Sequence, residues 1–82
     1  MSADHDAADI HDLDVTIWVG KRGLDPAAEE LTAQLEHHDL VKAKFLRSSR
    51  GEESTEELAV ELAELAGASI VETRGHTAVF AE

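Results

Sequence analysis

Val15-Thr16-Ile17-Trp18-Val19-Gly20-Lys21-Arg22-Gly23-Leu24-Asp25-Pro26 changes physical character at two points, and those points decide the fold. Its first five residues are β-branched or aromatic, the side chains that suit a pleated strand. Gly20 ends that run. Asp25-Pro26 then supplies an N-cap and a first-turn proline, which mark a helix start. Beyond them Ala28, Leu31 and Leu35 recur at spacings of three and four, which predicts a helix with one apolar stripe to about His37. A second strand follows at once in Val41-Lys42-Ala43-Lys44-Phe45-Leu46. Val41, Ala43 and Phe45 alternate with Lys42 and Lys44, so one face of that strand is apolar and the other cationic.

Working outward, Arg47-Ser48-Ser49-Arg50-Gly51 is a polar loop, and Ser54-Thr55-Glu56-Glu57 has the spacing of a capping box. Leu58, Leu62 and Leu65 line the helix it opens, with Ala59, Ala63 and Ala66 beside them, and Gly67 is a natural stop. Two short strands follow, around Ser69–Thr73 and His76–Phe80, with Arg74-Gly75 as the hairpin turn between them. The expected architecture is therefore an α/β, two-layer fold of order β-α-β-α-β-β, a four-stranded mixed sheet with both helices on one face. Parity sends Lys42 and Lys44 to the open face. It also sends Thr16 and Trp18 outward if Val15, Ile17 and Val19 enter the core. Residues 1–13 alternate Asp, Ala and His with no apolar period and are expected to be a flexible acidic arm preceding a domain at 14–82.

At 82 residues the chain holds one domain and one modest core. That leaves little room for the deep substrate cavity typical of an enzyme. With no cysteine, disulfides and thiolate metal sites are excluded. No apolar run approaches the roughly 20 residues that span a bilayer. The stretch Met1–Asp14 is rich in Asp and lacks Lys and Arg, the reverse of a basic signal-peptide start. A cytoplasmic protein with no membrane partner is expected. Against 18 Asp and Glu there are only 7 Lys and Arg, a net charge of −11, which taken whole argues against a polyanionic partner. The distribution tells otherwise. Lys42, Lys44, Arg47 and Arg50 share an acid-free stretch, and so do Lys21 and Arg22. Arg74 sits in a later turn. The acids occupy the arm and the helices. This sorting predicts one basic surface on an acidic body, whose composition reads either as a halophile-like surface or as an ordinary acidic protein.

Gly20-Lys21-Arg22-Gly23 carries the chemistry. It joins a strand to a helix N-terminus, where unpaired N–H groups and the helix dipole favour an anion. Glycines allow close backbone approach, and Arg22 can grip a phosphate with two N–H groups. A tight turn whose basic pair is merely solvated would have the same four residues. Arg47 and Arg50 either hold phosphates or belong to a solvated connector. Trp18 is either a platform for stacking a base or an ordinary core or interface tryptophan. His76, beside the Arg74 turn, is either a further nucleic-acid contact or simply an exposed hairpin histidine. His37-His38-Asp39 does not make a metal site, because neighbouring residues at a helix end project to different sides and no further ligand is suitably spaced.

These residues also carry a resemblance. Ile17-Trp18-Val19-Gly20-Lys21-Arg22-Gly23-Leu24 resembles the signature of the CRM domain, the YhbY-like family of RNA-binding proteins. Leu40–Phe45 resembles that family's second strand, the stretch from Glu57 to Ala68 its final helix, and Arg74–Phe80 its closing hairpin. The match covers roughly residues 15–81 in order and spacing, and the acidity suggests an archaeal, halophile-like member. The resemblance implies a fold like the C-terminal domain of bacterial translation initiation factor three. It also implies binding to structured RNA, with the GxxG loop as a contact. Bacterial members associate with precursors of the large ribosomal subunit; plant members act in intron splicing. The expected contacts are Gly20, Lys21, Arg22, Gly23, Lys42, Lys44, Arg47, Arg50 and Arg74, with Trp18 as the stacking candidate. The expected partners are ribosomal RNA first and ribosomal proteins or ribosome precursors as further candidates, bound by a monomer with no cofactor, no metal and no catalytic residue. A KH assignment fails because the KH loop joins two helices, whereas this one follows a strand. Two other readings compete: an interaction module that binds a basic partner through its acidic surface, and a small phosphotransfer enzyme. The second lacks the Gly-Lys-Ser/Thr ending of a P-loop and a nearby general base.

Overall fold

The structure, a computed structural model, describes residues 13–47 and 53–82. Strand β1 spans Val15–Val19, helix α1 Leu24–Leu35, strand β2 Val41–Phe45, helix α2 Thr55–Ala66, strand β3 Ser69–Arg74 and strand β4 Thr77–Ala81. The sheet order is β1-β2-β4-β3. Strands β1 and β2 are parallel, and β4 runs antiparallel to both β2 and β3. It follows that β1, β2 and β3 all point the same way, with β4 returning between two of them. The helices and the apolar face of the sheet enclose Ile17, Val19, Leu31, Phe45, Leu62 and Phe80, all essentially without solvent contact. The expected arm lies outside the described residues apart from Leu13, as does Arg50.

Local chemistry accounts for the element ends, with several corrections. Helix α2 opens on the anticipated capping box: the Ser54 hydroxyl accepts from the Glu57 N–H at 3.1 Å, and the Ser54 N–H donates to Glu57 Oε1 at 2.9 Å. It closes at Gly67, in the left-handed conformation at φ 67°, with the Ala68 N–H donating to the Ala63 carbonyl at 2.9 Å. Leu65, expected on the apolar stripe, is 55% exposed. At 100° per residue it sits about a quarter turn from the middle of the stripe that Leu58, Ala59, Leu62 and Ala63 bury. Helix α1 starts earlier than Asp25: its N-cap is Gly23, which offers no side-chain cap, and Pro26 falls inside the first turn, where its missing N–H has no intrahelical partner to lose. The helix ends at Leu35 rather than His37.

Strand parity holds in β2, where Lys44 is exposed and Lys42 half-buried on the face away from the helices. In β1 Thr16 and Trp18 are both exposed, as expected, but the register is not regular and Val15 does not enter the core. Val15 pairs with Lys42 and Ile17 with Ala43, so Thr16 is an extra residue in a bulge. Its hydroxyl donates to Gln34 Oε1 of α1 at 2.6 Å, and Gln34 Nε2 donates back to the Thr16 carbonyl at 3.4 Å. Val15 is only half-buried and stands outside the core cluster. The hairpin turn is shifted by one residue: Arg74 still pairs with Thr77, so the turn is Gly75-His76.

Candidate nucleic-acid interface

Three parallel strands deliver three connections to one end of the sheet. The turn Gly20–Gly23 leaves β1, Leu46 and Arg47 leave β2, and Gly75-His76 leaves β3. Backbone hydrogen bonds knit them together. The Leu46 N–H donates to the Val19 carbonyl at 2.8 Å, and the Phe45 N–H to the His76 carbonyl at 2.8 Å. The Gly23 N–H donates to the Gly20 carbonyl at 3.0 Å, closing Gly20–Gly23 into a β-turn with Lys21 and Arg22 at its exposed corners. In sheets of parallel strands, the carboxyl ends are where ligands usually bind.

A row of side chains crosses the open face just behind these loops. Trp18 pairs with Lys44, Lys44 with Thr77, and Thr77 with Arg74, so an indole, an ammonium, a hydroxyl and a guanidinium lie on adjacent strands. Trp18 is 58% exposed, which excludes the core reading. The next row, toward the middle of the sheet, is Lys42, Val79 and Glu72. The described acids lie elsewhere for the most part: Glu29, Glu36, Glu56, Glu61 and Glu64 on the helix layer, Asp14 and Asp39 just ahead of β1 and β2. Sorting in the sequence has become sorting in space.

Between the turn and α1 lies a cleft of about 420 Å³. The Gly20–Gly23 turn forms one lip, Pro26, Ala27 and Glu30 of α1 form a wall, and Trp18 and Leu46 complete it. Of the residues singled out in the sequence, the fold therefore gathers Trp18, Gly20, Lys21, Arg22, Gly23, Lys44, Arg47 and Arg74 at one end. Lys42 stands one row further back. Thr77, Leu46 and Glu30 were not singled out. Glu30 carried a signal, since it lies four residues beyond Pro26 and so on the same side of α1; Thr77 and Leu46 carried none. Among the described residues no group of three or more His, Asp or Glu is arranged to hold a metal ion. No helix among them is long and apolar enough to cross a membrane.

Comparison with known proteins agrees with this fold. The CRS1/YhbY (CRM) domain matches residues 6–81. The "Probable RNA-binding protein MJ0652" of Methanocaldococcus jannaschii is 33% identical over 69 residues, covering 84% of this chain. The aligned region is 52% of that relative, so the chain spans about half its length. The solution structure of the hypothetical protein SAV1595 from Staphylococcus aureus superposes with a TM-score of 0.71 at 24% identity, over 92% of this chain and 77% of the other. Its likeness shows a shared fold. A domain match that runs from residue 6 to residue 81 places this protein in the CRS1/YhbY (CRM) domain family.

Proposed function

We propose that this chain binds structured RNA, and that the basic end of its sheet is the binding surface, with ribosomal RNA of the large subunit or its precursor as the target. The observation that carries this reading is the convergence of Lys21, Arg22, Arg47 and Arg74 at the carboxyl ends of three parallel strands, backed by Trp18, Lys44 and Thr77 in the row that ends on Arg74. The family membership supports it, and so does the name of the archaeal relative. The acidic body works against long-range attraction, so affinity must come from close contacts. At about 1 M salt the Debye length is roughly 3 Å, which screens distant repulsion while contact hydrogen bonds persist.

With four or five phosphates engaged, log affinity against log salt should fall with a slope on the order of −3 to −4.5, at about 0.7–0.9 per phosphate. The test is a double substitution, Lys21→Glu with Arg22→Glu. Both side chains are exposed, so circular dichroism should show an unchanged fold while RNA affinity collapses. Undiminished affinity in the folded double variant would exclude the Gly20–Gly23 turn as the RNA contact.

A further inference from the structure

We propose that the cleft beside the Gly20–Gly23 turn receives one unpaired base, that guanine fits it best, and that Glu30 reads the edge of that base. This inference rests on the RNA-binding reading above and gives it a base specificity. The cleft's surfaces are of two kinds. Lys21 and Arg22 stand on the lip, while Trp18, Pro26, Ala27 and Leu46 present apolar surface inside it. The apolar lining gives a phosphate no partner and Glu30 on the wall repels it, whereas the glycine turn and the start of α1 offer it cations and N–H groups at the lip. A phosphate therefore belongs at the lip and its base inside, where the cleft of about 420 Å³ is ample for a single ring system. Trp18 leaves much of its indole accessible for stacking, the sequence-tolerant part of such binding.

Glu30 supplies the selective part. A carboxylate only accepts hydrogen bonds, and its two oxygens suit two adjacent donors. Guanine presents that pair on its Watson–Crick edge, N1–H beside the N2 amino group. Adenine and cytosine place a ring-nitrogen acceptor next to their amino donor, and uracil has one donor between two carbonyls. Each of those sets a lone pair against the carboxylate. A guanine already paired has its edge occupied, so the base must come from a loop, bulge or single strand, the usual targets of sequence-specific RNA recognition. The apolar side chains accept any flat ring, so they add affinity without selectivity.

Trp18 is the chain's single tryptophan, so its emission reports on the surroundings of that one side chain, and comparing paired with unpaired guanine separates the cleft from the open face. The full chain is titrated with labelled uridine-rich oligonucleotides carrying one guanine, adenine or cytosine, and with a hairpin in which the guanine is paired. Anisotropy gives the affinity and Trp18 emission the occupancy. The unpaired guanine should quench Trp18 and bind about tenfold more tightly than adenine, as a good bidentate base contact allows. Glu30→Ala, at an exposed position, should keep the fold and abolish that preference, and Trp18→Leu should weaken all the oligonucleotides alike. An unchanged guanine preference in Glu30→Ala, or equal quenching by the paired guanine, would overturn the proposal. If the wild type binds without base preference yet still depends on Lys21 and Arg22, the base reading falls and the RNA reading stands. If no RNA binds the wild type at all, both fall.

Discussion

Gly23 adopts φ 89° and ψ −166°, a corner of backbone space that is essentially glycine's alone. A β-carbon added there would meet no atom within 4 Å, so Gly23→Ala isolates the backbone cost from any clash. Chemical denaturation should show a loss of about 1–3 kcal/mol. RNA affinity should fall as well, because the turn that holds Lys21 and Arg22 must relax. The same residue explains a misreading. Asp25-Pro26 carries every local mark of a helix start, yet Gly23 turns the chain early enough for Leu24 to be helical already. The exposure of Trp18 was legible because alternation between faces is a two-residue rule, whereas the bulge that keeps Val15 out of the core was not. One inserted residue in a bulge reverses that rule locally, and nothing in the Val15–Val19 composition announces it.

Helix α2 was the most legible element, since its capping box and its closing glycine are signals confined to a few neighbouring residues. Its outer side holds a charge conflict. The Glu53 carboxyl is held above the ordinary 4.5 by a hydrogen bond with Glu61 and by the negative charges of Glu61 and Glu57. Glu57 and Glu61 are themselves four residues apart, a repulsive pairing on a helix. A carboxyl that binds its proton more tightly when folded favours the fold at low pH, and that contribution is lost as pH rises from 4.5 through the raised value. Glu61→Gln should therefore raise the Tm at pH 7 and flatten its decline just above pH 4.5. It should also reduce the stabilisation the wild type gains from added salt. Thermal melts across pH and salt would check all three, and an unaltered pH profile would show that Glu61 is not the proton's partner. Leu65 shows the limit of stripe counting: a leucine at plausible spacing is buried only where another element covers it, and near the end of α2 Leu65 is left more than half exposed.

At the scale of the molecule, the basic surface could be anticipated as a composition but not as a place. Lys21, the neighbouring Lys44 and Arg47, and Arg74 are far apart in the sequence, and only the order β1-β2-β4-β3 brings their strand ends together. No periodicity encodes that order, because each strand's own pattern is equally compatible with several neighbours. The order has a consequence for how the chain is made. Strand β4 joins β2 to β3, so the two parallel strands stay unconnected until residues 77–81 exist. A chain ended after Gly75 should retain β1, α1 and β2 as a loose unit, melt without a cooperative transition and be cut rapidly by protease, while the full chain resists. A folded, cooperative truncation would refute this. As the chain lengthens from its N-terminus, Lys21, Arg22, Lys44 and Arg47 are all made before the strand that fixes them in place. Protein synthesis thus imposes a timing rule: the nascent chain has its cations early, but it acquires an ordered binding surface only with the last turn and strand of the sheet.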